Sequence, residues 1–87
     1  MVKRRPSWML MKDEILLEYL QETGAAFNPD LLYHNLVELG EFEISKRTIR
    51  RRLHRLLEEG MVERTNDNKG YYVISKKGRE FLEDDDK

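Results

Sequence analysis

The chain contains no cysteine, which excludes disulfides and thiolate metal sites. Its two histidines, His34 and His54, are too few and too scattered for a zinc centre. No apolar run approaches the ~20 residues of a membrane span. The basic opening Met1–Pro6 is not followed by an apolar stretch of signal-peptide length, so a cytoplasmic location is expected. Neither charge sign dominates: 16 Lys and Arg stand against 17 Asp and Glu, a formal charge of −1. There is no internal repeat, no Ser-His-Asp arrangement, no phosphate loop and no metal constellation. The expectation is a protein without enzymatic activity, cofactor or small-molecule ligand.

What is present is a strongly polarised helix. Between Lys46 and Arg55 stand six Lys or Arg and no acid. Ile49, Leu53, Leu56 and Leu57 recur at the spacing of an apolar helical stripe. At roughly 100° per residue, Arg47, Arg51 and Arg55 lie opposite that stripe. Ser45 suits the N-cap and Gly60 the residue that closes the helix. The charges oppose the helix dipole, with Lys46 and Arg47 in the first turn and Glu58 and Glu59 in the last. Lys46/Arg50, Arg47/Arg51 and Arg51/Arg55 are like-charge i, i+4 pairs that cost helix stability. A phosphate backbone beside the N-terminal half would relieve both conflicts, which makes a polyanion the expected partner.

Eighty-seven residues make one domain. Residues 1–7 form a basic arm, 8–82 the domain and 83–87 an acidic tail. A first helix lies within Trp8–Thr23, with Ile15, Leu16, Tyr19 and Leu20 as its apolar stripe, extended by Trp8 and Met11, and with Gly24 as its stop. Glu14, Glu18 and Glu22 form an acidic line on it that should avoid nucleic acid. Asn28-Pro29-Asp30 starts a second helix, which runs to about Leu39 with Leu32, Leu36 and Leu39 facing the core. Ala25–Phe27 is a candidate brief strand, and Ile44 a buried anchor in the turn before the basic helix. Beyond Gly60 the period changes from 3.6 to 2. Met61–Thr65 and Tyr71–Ser75 flank the polar loop Asn66–Gly70 as a hairpin, with Val62, Tyr72 and Ile74 inward. Ser75 caps a short last helix that contains Phe81 and Leu82 and is weakened by Gly78. The fold class is mainly α with a small β hairpin.

The order of three helices and a hairpin resembles the winged helix-turn-helix fold. The stretches Ile44–Arg64 and Tyr71–Leu82 are similar to small winged-helix transcription regulators of archaea. Ser7-Trp8-Met9 before the first helix resembles repressors of haloarchaeal viruses, although the chain lacks the strong acidity of proteins from extreme halophiles. The resemblance covers nearly the whole chain. It implies sequence-specific binding of double-stranded DNA, often as a dimer, with the third helix in the major groove and the hairpin as the wing.

On that reading Arg47 and Arg51 are the first candidates for base edges, with Thr48 beside them. Ser45, Lys46, Arg50, Arg52 and Arg55 are candidates for phosphates. Arg52 could instead lie along the protein surface, and Arg55 could pair with Glu59. In the wing, Asn66, Asn68 and Lys69 are candidates for flanking DNA. Trp8 is either an edge of the monomer core or, with the first helix, the seam of a homodimer. The alternatives to a DNA-binding regulator are a protein-docking winged helix and an RNA- or ribosome-associated one.

Overall fold

Helix α1 (Met11–Thr23) starts where Leu10 leaves an extended conformation. The computed structural model in which this is seen describes residues 5–40, 42–65 and 70–83. Leu10 has no side-chain acceptor to cap the helix. The reciprocal contact is present, because the carboxylate of Asp13, three residues on, accepts from the Leu10 N–H at 2.9 Å. The helix ends at Gly24, whose φ of 67° suits glycine and whose N–H returns to the Leu20 carbonyl. Its inward face is Asp13, Leu16, Leu17 and Leu20. That differs from the apolar stripe read from the sequence. Leu17 is fully buried, Ile15 and Tyr19 are half-buried, and Met11 is 63% exposed. Apolar residues occupy more than one face of α1, and the face turned inward is the one that also carries the buried carboxylate of Asp13.

Asn28 caps α2 (Pro29–Tyr33) by accepting from the Leu31 N–H at 2.7 Å, with Pro29 in the first turn. The helix then widens into a π-helical turn over His34–Glu38, in which the Leu39 N–H reaches back to the His34 carbonyl at 2.9 Å. A bond that spans five residues instead of four changes the facing of everything after it. Leu32 is buried and Leu36 packs at the core margin, but Leu39 is 70% exposed. The expectation that Leu39 faces the core is thereby corrected. The chain turns with the Phe42 N–H on the Leu36 carbonyl, and Ile44 enters the core.

Helix α3 (Lys46–Glu58) is capped as its sequence predicts. The Ser45 hydroxyl accepts from the Thr48 N–H at 3.1 Å. At the other end Met61 N–H bonds the Leu56 carbonyl and Gly60 N–H the Leu57 carbonyl, around Gly60 at φ 79°. This paired closure is the Schellman motif. The Lys77 ammonium adds a bond to the Glu59 carbonyl at 2.8 Å, where a cation suits the helix dipole.

Strands β1 (Val62–Arg64) and β2 (Tyr72–Ile74) pair antiparallel, with Val62 opposite Ile74 and Arg64 opposite Tyr72. The strand expected at Ala25–Phe27 is present as a single bridge. Phe27 and Tyr72 exchange backbone bonds of 3.0 and 2.8 Å. Helix α4 (Lys76–Glu83) starts at Ser75, which accepts from the Gly78 N–H at 3.1 Å and donates to the Gly60 carbonyl. Gly78 is buried at a close crossing. A Cβ there would meet the Met61 carbonyl and lie 2.8 Å from Ile74 Cγ1.

The core joins Leu16, Leu17 and Leu20 of α1, Leu32 of α2 and Ile49, Leu53 and Leu56 of α3. Met61, Val62, Tyr72, Ile74 and Leu82 close it from the hairpin and α4.

Candidate nucleic-acid interface

Helix α3 buries Ile49, Leu53 and Leu56. With that stripe inward, a 100° step places Arg47, Arg51, His54 and Glu58 directly outward. Lys46 and Arg50 fall on one flank, and Thr48, Arg52, Arg55 and Glu59 on the other. The contacts follow this geometry. On the first flank the Lys46 ammonium lies 3.5 Å from Asp30 and 5.3 Å from the centre of the Tyr33 ring, both in α2. On the second flank Arg52 turns to α1.

The Arg52 contact is a two-point ion pair with a buried carboxylate. Its Nε donates to Asp13 Oδ1 at 2.7 Å and its terminal nitrogen to Asp13 Oδ2 at 2.6 Å. The same terminal nitrogen reaches the Trp8 carbonyl at 3.2 Å. Asp13 is completely buried, so its charge is tolerable only because the guanidinium fork and the Leu10 N–H satisfy it. The hydrogen bond to Asp13 raises the Arg52 pKa, desolvation lowers it, and the charge of Asp13 raises it further, with a net upward shift. The sequence admitted Arg52 either as a phosphate contact or as a side chain lying along the protein, and the side chain is turned inward to α1.

Arg55 donates from Nε to Glu59 Oε2 at 3.1 Å, the i, i+4 pair expected as its alternative role, and its guanidinium lies 5.2 Å from the centre of the Trp8 ring. His54 approaches Glu58 at 3.6 Å. Arg47, Arg50 and Arg51 are exposed and form no ion pair with any described residue. Among the described residues the six basic side chains thus divide into three held by neighbours and three unneutralised. The unneutralised ones lie in the N-terminal half of the helix, and Glu58 and Glu59 close the positive surface at its other end. Ser45 and Thr48 join them at the N-terminus, linked by a 2.9 Å bond between their hydroxyls.

Asn66, Asn68 and Lys69 lie outside the described residues, as do residues 1–4 of the arm and 84–87 of the tail. Of the arm, Arg5 is paired with Glu14 at 2.7 Å. Glu18, Gln21, Glu22 and Leu82 line a shallow, open hollow between α1 and α4. Its acidic rim does not suit a polyanion. Among the described residues no group of His, Asp or Glu is arranged to hold a metal ion, and no helix is long and apolar enough to cross a membrane.

Asp13 is the residue that sequence reasoning missed. Its position three residues after Leu10, where α1 begins, was a faint signal of a capping role. Nothing local revealed its partner, 39 residues away.

Comparison with known proteins agrees with the architecture. Residues 14–82 match the family model described as the ribonuclease R winged-helix domain. The fold is similar to the crystal structure of the PhiH1 repressor-like protein from Haloarcula marismortui. The two share 28% identity over 95% of this chain and 86% of that one, with a TM-score of 0.79. No curated protein matches the chain.

Proposed function

The chain belongs to the ribonuclease R winged-helix domain family, and from the exposed basic helix it carries on that fold we propose that it is a sequence-specific binder of double-stranded DNA, a transcription regulator of repressor type. The observation that carries this reading is the set Arg47, Arg50 and Arg51, exposed on the N-terminal half of α3 and unneutralised by any described residue. The N-terminal part of a recognition helix is the part that reaches base edges in the major groove. In this reading Arg47 and Arg51 face the bases, with Thr48 at the groove edge. Ser45, Lys46, Arg50 and Arg55 engage phosphates. Arg52 braces the helix from behind. The wing, through Asn66, Asn68 and Lys69, contacts the flanking duplex. The similarity to a repressor-like protein supports the regulatory part. Residues 8–82 are the binding domain, with 1–7 a basic arm and 83–87 an acidic tail.

The protein acts in the cytoplasm without catalysing a reaction. Its occupancy of an operator blocks transcription. Leu10 and Met11 are exposed at the start of α1, and through them the first helix provides the apolar seam of a homodimer. Such a dimer would read half-sites roughly 34–36 Å apart.

The family description names a ribonuclease, and this favours structured RNA as the second reading. One titration separates the two. A labelled random duplex is followed by fluorescence anisotropy at about 50 and about 200 mM salt, where several phosphate contacts cost orders of magnitude in affinity. Unlabelled structured RNA and duplex DNA are then compared as competitors. Salt-sensitive binding with duplex as the better competitor is the expected result. Stronger competition by RNA would favour the second reading. Absence of binding at low salt would leave protein docking as the function of the surface.

A further inference from the structure

Trp8, the single tryptophan of the chain, is held in place before any partner arrives. The Met9 N–H closes a turn on the Pro6 carbonyl at 3.0 Å, and the Met9 side chain is buried in the core. On the N-terminal side of that turn Arg5 is fastened to Glu14. On the other, the Trp8 carbonyl receives the Arg52 guanidinium, itself fixed by Asp13. The ring that results from these constraints lies under Arg55. Glu59 takes Nε of Arg55, and no described residue takes its terminal nitrogens.

We infer that Trp8 is a positioning residue of the nucleic-acid interface, whose ring, with Glu59, holds Arg55 ready to receive a backbone phosphate on the flank of α3. A guanidinium carries five donors in a fixed plane. The bond to Glu59 uses one of them. A ring face attracts the cation without consuming any donor. Arg55 is therefore orientated and still able to make two charge-assisted bonds to a phosphate. Arg47, Arg50 and Arg51 have no such support among the described residues. The site consists of one arginine from the recognition helix and one indole from the segment before α1, so the N-terminal segment contributes to binding through α3. This rests on the reading of α3 as the surface that meets the nucleic acid.

The test is a salt titration of the full chain on duplex DNA with Trp8→Leu, Arg55→Gln, the double variant and Trp8→Phe, each checked for folding by circular dichroism. Loss of one phosphate contact lowers the slope of log affinity against log salt by about 0.9, which is about 3.5-fold in affinity over a fourfold salt change. That loss is expected for Trp8→Leu and for Arg55→Gln. The double variant should lose no more than either single one, and Trp8→Phe should recover most of it. A folded Trp8→Leu with the wild-type slope, or a double variant that loses twice as much, overturns the inference and leaves the proposed function standing. Wild-type protein that fails to bind overturns the function and the inference with it. Trp8 emission supplies a reading that does not depend on any Trp8 variant. It should change as duplex saturates the wild-type protein and change far less in Arg55→Gln. An indifferent emission overturns the inference.

Discussion

Asp13 in α1 and Arg52 in α3 meet through two parallel bonds of 2.7 and 2.6 Å, with the carboxylate wholly removed from solvent. Removing one partner of such a pair strands the other charge, which costs about 3–5 kcal/mol. Asp13→Ala also deletes the acceptor for the Leu10 N–H. Urea unfolding should therefore show Asp13→Ala destabilised by about 3 kcal/mol or more. A change below about 1 kcal/mol would mean that the pair is solvated in solution.

The pH dependence of the same contact has a definite sign. Arg52 has a raised pKa in the folded chain, caused first by its bond to Asp13. A cation of this kind contributes its full stability below its unfolded pKa and loses it only as pH rises through the folded value. For arginine both lie at extreme alkalinity. The difference in unfolding free energy between wild type and Arg52→Met should thus be the same at about pH 7 and about pH 10. Measured urea midpoints that converge on the alkaline side would contradict the assignment.

Neighbouring arginines should behave oppositely. Arg51→Ala should leave the unfolding midpoint within about 0.5 kcal/mol of wild type. It should also remove about 1–3 kcal/mol of discrimination between operator and random duplex. Arg52→Ala should chiefly lower stability. Parallel denaturation and competition titrations separate the two, and an Arg51→Ala variant with intact selectivity would require a different facing for α3.

Gly78→Ala inverts an ordinary rule. Within a helix this change gains roughly 1 kcal/mol of propensity. Here the new methyl group would meet the Met61 carbonyl and Ile74 Cγ1, and overpacking typically costs about 1–3 kcal/mol. Thermal unfolding should show a lowered midpoint, and a raised one would place α4 further from the hairpin.

The π-helical turn makes a contrast between two leucines. Leu39→Lys should change stability by no more than about 0.5 kcal/mol, as surface substitutions do. Leu32→Ala should cost about 2–5 kcal/mol, because it opens a cavity in the core. Equal losses in the two variants would indicate a regular helix from Pro29 to Leu39.

What could be read beforehand was local. Ser45, Gly60, Asn28-Pro29 and Ser75 announce helix ends because capping depends on residues within one turn. Ile49, Leu53 and Leu56 announce the buried face of α3 because its polar residues leave one choice. On α1 apolar residues occupy more than one face, so Leu17 and Ile15 could not be ranked without their neighbours. The exposure of Leu39 depends on a turn that widens where no proline or glycine marks it. The basic cluster was visible as a whole. Its division was visible only in part: the protein surface was offered for Arg52 and Glu59 for Arg55, but the partners Asp30, Asp13 and Trp8 lie far away in sequence.

Lys46 is tied to α2 and Arg52 to α1, on opposite flanks of α3. With Ile49, Leu53 and Leu56 also buried beneath it, the helix resists rolling about its axis. The azimuth of Arg47 and Arg51 is therefore largely set when the chain folds, and in the proposed function docking would have little rotation left to freeze. Interfaces prepared in this way lose less entropy on association. If α3 reads DNA as proposed, such an interface would also tolerate little change of register, because a base pair offset from those arginines could not readily be met by turning the helix toward it.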